Sequence, residues 1–273
     1  MADSVCAARP GGLGAFNVIQ LEHAEAIVQG AESAGRPVVL QISQNTVAYH
    51  GALAPLTLAC LRLAARSSAD VVVHLDHAVS ADLVHEAVTL GVGSVMYDAS
   101  TLAHADNVAA TRDVTGWCHE RGVSVEAELG EVGGKDGVHA AGARTDPAEA
   151  AAYVPATGVD ALAVAVGSSH AMLTREAELD DELIAALAAA VGAGVPLVLH
   201  GSSGVPDEGL VSAVAHGMVK VNIATHLNKA LTTAVRAALA ADESMVDPRK
   251  YLGPGREAVS TEVARLLTLL AGR

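Results

Sequence analysis

The strongest constraint on the fold is an alternation repeated eight times, in which a short Val-rich run gives way to an amphipathic stretch closed by glycine. The runs are GAFNV (14–18), VVLQIS (38–43), VVVHLD (71–76), SVMYD (94–98), SVEAEL (124–129), ALAVAV (161–166), LVLH (197–200) and VKVNI (219–223). Parallel strands covered on both faces read as near-continuous apolar runs, and each needs a crossover helix before the next. Eight such units in 273 residues predict a (β/α)8 TIM barrel, with residues 1–273 as a single domain. The residues are 51% hydrophobic but only 2% aromatic, so the core must be built from Ala, Val, Leu and Ile.

The intervening segments carry helix punctuation. Leu21, Ala24, Ile27, Val28 and Ala31 form a helical stripe that Gly35 and Pro37 end. In TDPAEAAAYV, Asp146 is placed at an N-cap, Pro147 at N1 and Glu149 at N3. Val259, Val263, Leu266, Leu267 and Leu270 predict an extra C-terminal helix over Pro254–Leu270 that packs on the barrel or on a partner. One stretch breaks the alternation: GEVGGKDGVHAAGART (130–145) is long, Gly-rich and aperiodic, as functional loops often are.

The formal charge of −14 argues against nucleic acid and anionic membranes as partners, since no basic cluster offsets the repulsion. Cys6, Cys60 and Cys118 are too scattered for a disulfide framework or a thiolate zinc site. No charged-then-apolar leader opens the chain, and the longest apolar stretch is broken by Gly192, Gly194, Pro196 and His200. A cytoplasmic location is the expectation.

In a barrel, catalytic groups gather at the C-terminal strand ends. These ends offer Asn17, Ser43, Asp76 with His77, Asp98, Glu126 with Glu128, Ser168 to His170, His200, and Asn222 with Thr225, while the strand interiors read as almost wholly apolar. An isolated histidine is more often a packed or rim group than a ligand. Three on one face, His77, His170 and His200, with carboxylates between them, match a divalent-metal site with an open position. Strand alternation would send Asp76 and His77 to opposite faces, so this reading requires the chain to turn between them. His74 shares the face of Asp76 and is expected to pack behind the site. His23, His50, His85, His104, His119, His139, His216 and His226 are read as surface residues. Turns in HGSSGVPDEG and NIATHLNKA, after strands seven and eight, supply backbone amides suited to phosphate.

The motifs GAFNV, HLDHA, SVMYDAS, VSVEAELGEVGG, AVAVGSSH, LVLHGSSGVP, KVNIAT and DPRKYL occur in an order that resembles the class II, metal-dependent ketose-bisphosphate aldolases, across nearly the whole chain. The resemblance implies Zn2+ or another divalent ion on His77, His170 and His200, with Asp98 and Glu128 at an alternative ion position. It implies Asp76 as the acid/base that takes the C4 hydroxyl proton. Gly201 and Ser203 match the family's phosphate turn, Asn222 and Thr225 the dihydroxyacetone-phosphate site, and Asn17 and Ser43 line the substrate. Arg249 matches an arginine that reaches the distal phosphate from a neighbouring subunit, which implies a homodimer or homotetramer.

Three departures accompany the resemblance. The loop reads GGKDG where relatives often have a glutamate, leaving Asp136 as the candidate for the second proton transfer. Ala171 stands where relatives often have a glycine contacting phosphate or a monovalent cation. Ala224 stands where fructose-bisphosphate enzymes often have aspartate, as in tagatose-type enzymes. The expected reaction is reversible cleavage of a tagatose- or fructose-type ketose 1,6-bisphosphate to dihydroxyacetone phosphate and glyceraldehyde 3-phosphate. The alternatives are a non-catalytic sugar-phosphate-binding barrel or partner subunit, and an aldolase for a deoxy-keto-sugar-acid phosphate. A Schiff base is not expected, since Lys220 opens strand eight, away from the catalytic end.

Overall fold

The computed structural model describes residues 11–129, 144–169 and 174–272. Eight parallel strands close on themselves in sequence order: β1 (Leu13–Asn17), β2 (Val38–Ser43), β3 (Val71–Ala78), β4 (Ser94–Tyr97), β5 (Ser124–Glu128), β6 (Ala161–Val164), β7 (Leu197–Leu199) and β8 (Met218–Ile223). β8 pairs with β1 through Val221 and Gly14, which closes the barrel. All eight predicted runs are strands, within one or two residues at most ends.

Outside the strands lie α1 (Leu21–Ala34), α2 (Gln44–His50), α3 (Ala54–Ala64), α4 (Ala81–Leu90), α5 (His104–His119), α6 (Pro147–Thr157), α7 (Asp181–Val191), α8 (Asp207–His216), α9 (Thr225–Ala241) and α10 (Pro248–Leu270). Among the described residues no single helix is long and apolar enough to cross a membrane. The expected caps form: Asp146 accepts from the amides of Ala148 and Glu149, and Gly35, at φ +61°, ends α1. Leu21 departs from its predicted stripe, being exposed at the first turn of α1, where the helix has not yet met the barrel wall.

The C-terminal helix starts six residues earlier than predicted, at Pro248 rather than Pro254. Asp247 caps it by accepting from Arg249 N, Pro248 takes the first turn, and Pro254 is carried inside the helix on an exposed side. This helix packs on the barrel. Val263 and the Ser260 carbonyl lie against Gly30 of α1, where any Cβ would stand within 2.8 Å of both. Its far end bonds the chain's first described turn, Gly12 N to Leu270 O at 2.8 Å.

Strand alternation divides the apolar residues into layers. Phe16, Leu40, Leu75, Val95, Val125, Leu162, Leu199 and Val221 face the helices in one large cluster. Inside the barrel the apolar packing is confined to two small groups, Leu13, Ala15 and Val39, and Met96, Ala161, Ala163 and Val198. The rest of the interior is polar, contrary to the expectation of apolar strand interiors: Gln41, His74, Ser94, Glu126 and Lys220 are all buried there. Lys220 does not open β8, as the sequence suggested, but is buried within it and bonds Glu126 across the barrel. It is the third residue of β8 and points into the barrel, beneath the site.

Candidate metal and phosphate site

The turn demanded of β3 is present. His77 has φ +52°, the one non-glycine residue with positive φ among those described, and the β3–β4 register slips between Leu75 and Ala78. This bulge re-aims His77 so that its ring lies beside the Asp76 carboxylate, 4.0 Å from Oδ1, instead of pointing to the outer layer. A left-handed histidine is strained, and such strain is held where the surroundings over-determine it. Here the Asp98 carboxylate grips His77 Nδ1 at 2.8 Å.

His200, at the end of β7, is held in the same way. Its Nε2 meets Glu126 Oε1 at 2.9 Å, and the other oxygen of Glu126 accepts from Lys220 Nζ at 2.7 Å. The Asn222 amide lies 3.1 Å from the same Nε2. His77 Nε2 and His200 Nδ1 face each other 3.0 Å apart; when both rings are neutral with the N–H directed at the carboxylate, each presents a lone pair there. Two facing lone pairs repel, and a cation between them removes that repulsion. Glu128, fully buried, brings Oε2 to 4.0 Å from His200 Nδ1, and ligand atoms of His77, Glu128 and His200 all fall within 4.8 Å of one another. Tetrahedral ligands at about 2.1 Å from an ion lie about 3.4 Å apart, so these separations suit a divalent metal. The two carboxylate–histidine pairs are the outer shell such ligands need.

Asp76, at the end of β3, has one oxygen occupied: Asn17 Nδ2 donates to Oδ2 at 3.0 Å, with Gln41 behind Asn17. Its Oδ1 is buried with no hydrogen-bond partner among the described residues. Burial raises the carboxyl pKa, but the charges of His77, His200 and Lys220 and the Asn17 bond outweigh it, so Asp76 is held below the ordinary carboxylate value. His74 packs behind the site as expected, its Nδ1 2.8 Å from Ser94 Oγ. Burial, then the Lys220 ammonium, hold its imidazole well below the usual histidine range.

A cavity of about 160 Å³ opens over these groups. Asn17, Ser43, Asp76, His77, His200, Gly201, Ser203, Asn222 and Thr225 all line it, as the sequence predicted, and Asn45 and Ala224 join them. The two turns meet on one side of it. Gly201 has φ +65° and any Cβ there would strike the Ser169 backbone at 2.6 Å, so only glycine fits that approach. Ser203 Oγ accepts from the amides of Ala224 and His226 at 3.3 Å each, which ties the β7 turn to the first turn of α9.

Several predicted residues stand elsewhere. Asp98 lies behind the ring of His77 and bonds Ser100, rather than among the converging ligand atoms. Arg249 does not line the cavity. It is exposed on the first turn of α10, paired with Asp247 beside a surface groove formed with Glu22, Glu25, Leu252 and Arg256. His23, read as a surface residue, is buried. Burial, where α10 packs along α1, lowers its pKa against the opposing Glu22 charge, and neither ring nitrogen has a hydrogen-bond partner among the described residues. His170, Ala171, Asp136 and His139 lie outside the described residues. Glu126 and Lys220 went unassigned, although their place two positions before Glu128 and Asn222 marks them as sharing the inward face.

The sequence model for fructose-bisphosphate aldolase class-II matches residues 4–272. The chain belongs to this family. A fructose-bisphosphate aldolase from Giardia intestinalis is 36% identical over 273 residues, spanning 91% of this chain and 84% of that protein. Another from Staphylococcus aureus is 38% identical over 255 residues, spanning 92% and 88%. The crystal structure of the YdjI aldolase from Escherichia coli K12 superposes with a TM-score of 0.84 at 30% identity, covering 98% of this chain and 94% of that one. The chain is therefore a class II aldolase, a carbon–carbon lyase of a metal-dependent family whose substrates are phosphorylated sugars.

Proposed function

We propose that the chain reversibly cleaves a ketose 1,6-bisphosphate of tagatose or fructose type to dihydroxyacetone phosphate and glyceraldehyde 3-phosphate. The observation that carries this is the convergence of His77 Nε2, His200 Nδ1 and Glu128 beside the unshared Oδ1 of Asp76. In this reading His77 and His200 hold Zn2+ or a related divalent ion with His170, and Glu128 serves an alternative position. A bound ion polarises the substrate ketone and stabilises the negative charge that develops as the C3–C4 bond breaks. Asp76 Oδ1 accepts the C4 hydroxyl proton, the electron pair of the breaking bond passes to the ketone half, and C4 leaves as an aldehyde. Asp136 is the candidate for returning a proton to C3.

The amides around Gly201, Ser203 and Thr225 take one phosphate, with a monovalent cation near Ala171 as a further candidate. Ser43 and Asn222 line the same space. Arg249, exposed and remote from its own cavity, fits a role at the distal phosphate of a neighbouring subunit in a homodimer or homotetramer. Residues 1–273 serve as one domain in this reading, supported by the closed barrel. A cytoplasmic location is part of this reading, and the acidic charge, −14, supports neither nucleic acid nor an anionic membrane as a partner.

The test is cleavage of both bisphosphates, coupled to detection of dihydroxyacetone phosphate, before and after chelation and zinc restoration. Chelator-sensitive turnover of at least one sugar is expected, and Ala224 at the cavity wall favours tagatose bisphosphate. No turnover of either sugar with zinc bound overturns the proposal, in favour of a binding protein or an aldolase for a deoxy-keto-sugar-acid phosphate.

A further inference from the structure

We propose that α10 positions the phosphate-binding turns through a continuous chain of ion pairs, with Arg265 and Glu262 as the positioning residues. The inference rests on the phosphate role given above to the β7 and β8 turns. The chain starts at Arg175, in the segment that follows β6. Its Nε and Nη2 donate to the Val205 carbonyl at 2.9 and 2.7 Å, immediately after the turn Ser202–Gly204. Nη2 also meets Asp207 Oδ1 at 2.6 Å, at the first residue of α8. The second oxygen of Asp207 accepts from Arg265 Nη1 at 2.6 Å. Arg265 then forks onto Glu262, with Nε and Nη2 at 3.0 and 2.7 Å from its two oxygens. Glu262 Oε1 lies 2.6 Å from His226 Nε2, in the first turn of α9. The backbone N–H of His226 donates back to Ser203 Oγ, at the cavity.

Three segments around the proposed phosphate subsite are thus tied to one helix: the stretch after β6, the turn after β7 and the start of α9. A lone ion pair at this exposure contributes little, because solvent screens it and long side chains lose entropy. These pairs differ in sharing carboxylates and in using forked guanidinium geometry, which fixes direction as well as distance. Burial raises the Glu262 pKa, but the bonds from His226 and Arg265 bring it down to about 2, so the link stays charged across the working range. Amides that bind an anion must be placed to a fraction of an ångström. The network therefore acts on ground-state binding of phosphate more than on bond cleavage.

The experiment compares wild type with Arg265→Met, Arg265→Lys and Glu262→Gln. It measures KM and kcat for the preferred bisphosphate, the Kd of inorganic phosphate by calorimetry, zinc content and thermal melting. Arg265→Met and Glu262→Gln are expected to raise KM and the phosphate Kd by roughly tenfold with kcat within about twofold and zinc content unchanged, since a small misplacement weakens each amide contact. Arg265→Lys keeps the charge without the fork and is expected to fall between them and wild type. Lower melting temperatures with unchanged KM and phosphate Kd overturn the proposal and leave the network a brace for α10. Glu262→Gln, nearly isosteric, carries the test if Arg265→Met does not fold. A wild-type protein that binds zinc but no phosphate or phosphate ester overturns the phosphate reading itself, and this coupling with it.

Discussion

The two faces of the barrel wall are made from the same eight strands, yet they do different work. Outward residues such as Phe16, Leu40, Val95 and Leu162 join a single apolar layer with the helices. Inward residues on those strands, one position away, include Gln41, His74, Glu126, Glu128, Lys220 and Asn222, all buried. Barrel interiors are usually filled by branched apolar side chains. Here the upper interior is a connected polar column from Lys220 through Glu126 and His200 to His77 and Asp98. Burial of such groups stabilises little by itself, since desolvation cancels most of the attraction. The outer layer supplies the stability that this interior does not, and the interior supplies ligand orientation that an apolar one could not.

Substitutions on the two faces should separate stability from chemistry. The largest effect is expected at His200→Ala, which should abolish zinc retention and cleavage together; a variant that keeps zinc at wild-type occupancy would remove His200 from the ligand set. Asp76→Asn should retain zinc yet lower kcat by about 10²- to 10⁴-fold, the usual worth of a positioned general base. Lys220→Met tests the column beneath the site. It leaves the buried Glu126 carboxylate without its cation, and zinc affinity, read by chelator competition, should fall by about 10- to 100-fold as for other outer-shell losses. Unchanged affinity would make the Lys220–Glu126 pair a packing feature only.

On the outer face the pattern should invert. Ile27→Ala, in the fully buried stripe of α1, should cost about 2–5 kcal/mol of stability while zinc affinity stays at the wild-type value. A smaller effect is expected at Glu262, whose folded-state pKa of about 2 lies below its ordinary 4.5. A depressed carboxyl contributes stability that is present above the ordinary value and lost as pH falls through the folded one. The melting-temperature difference between wild type and Glu262→Gln should therefore shrink between about pH 4.5 and pH 2; a difference constant over that window would deny the ion pair its share.

The strands were legible because burial on both sides selects unbroken Val-rich runs, and because glycines close the helices between them. The cavity residues were legible because strand ends on one face of a barrel must converge. The pairings of the polar column were not, since Glu126 carried no role of its own and Lys220 sits inside a Val-rich run, and only the partner across the barrel shows what each one balances. The start of α10 was misread for a local reason: Pro254 has the form of a helix start, while the stronger start, Asp247 with Pro248, lies six residues earlier.

The sequence by itself determined the barrel and gathered, at one end of it, most of the residues that line the cavity, because periodicity and strand order follow from local apolar patterning. Tertiary structure alone decided that His77 turns at φ +52° to stand with Asp76. It also decided that Asp98 and Glu126 orient histidines from behind, that Lys220 lies beneath the cavity, and that α10 reaches the turns after β7 and β8 through Arg265 and Glu262. Each of these depends on atoms brought together across the barrel or between helices. Such contacts are set by register and closure, for which no single stretch of chain carries a local signal.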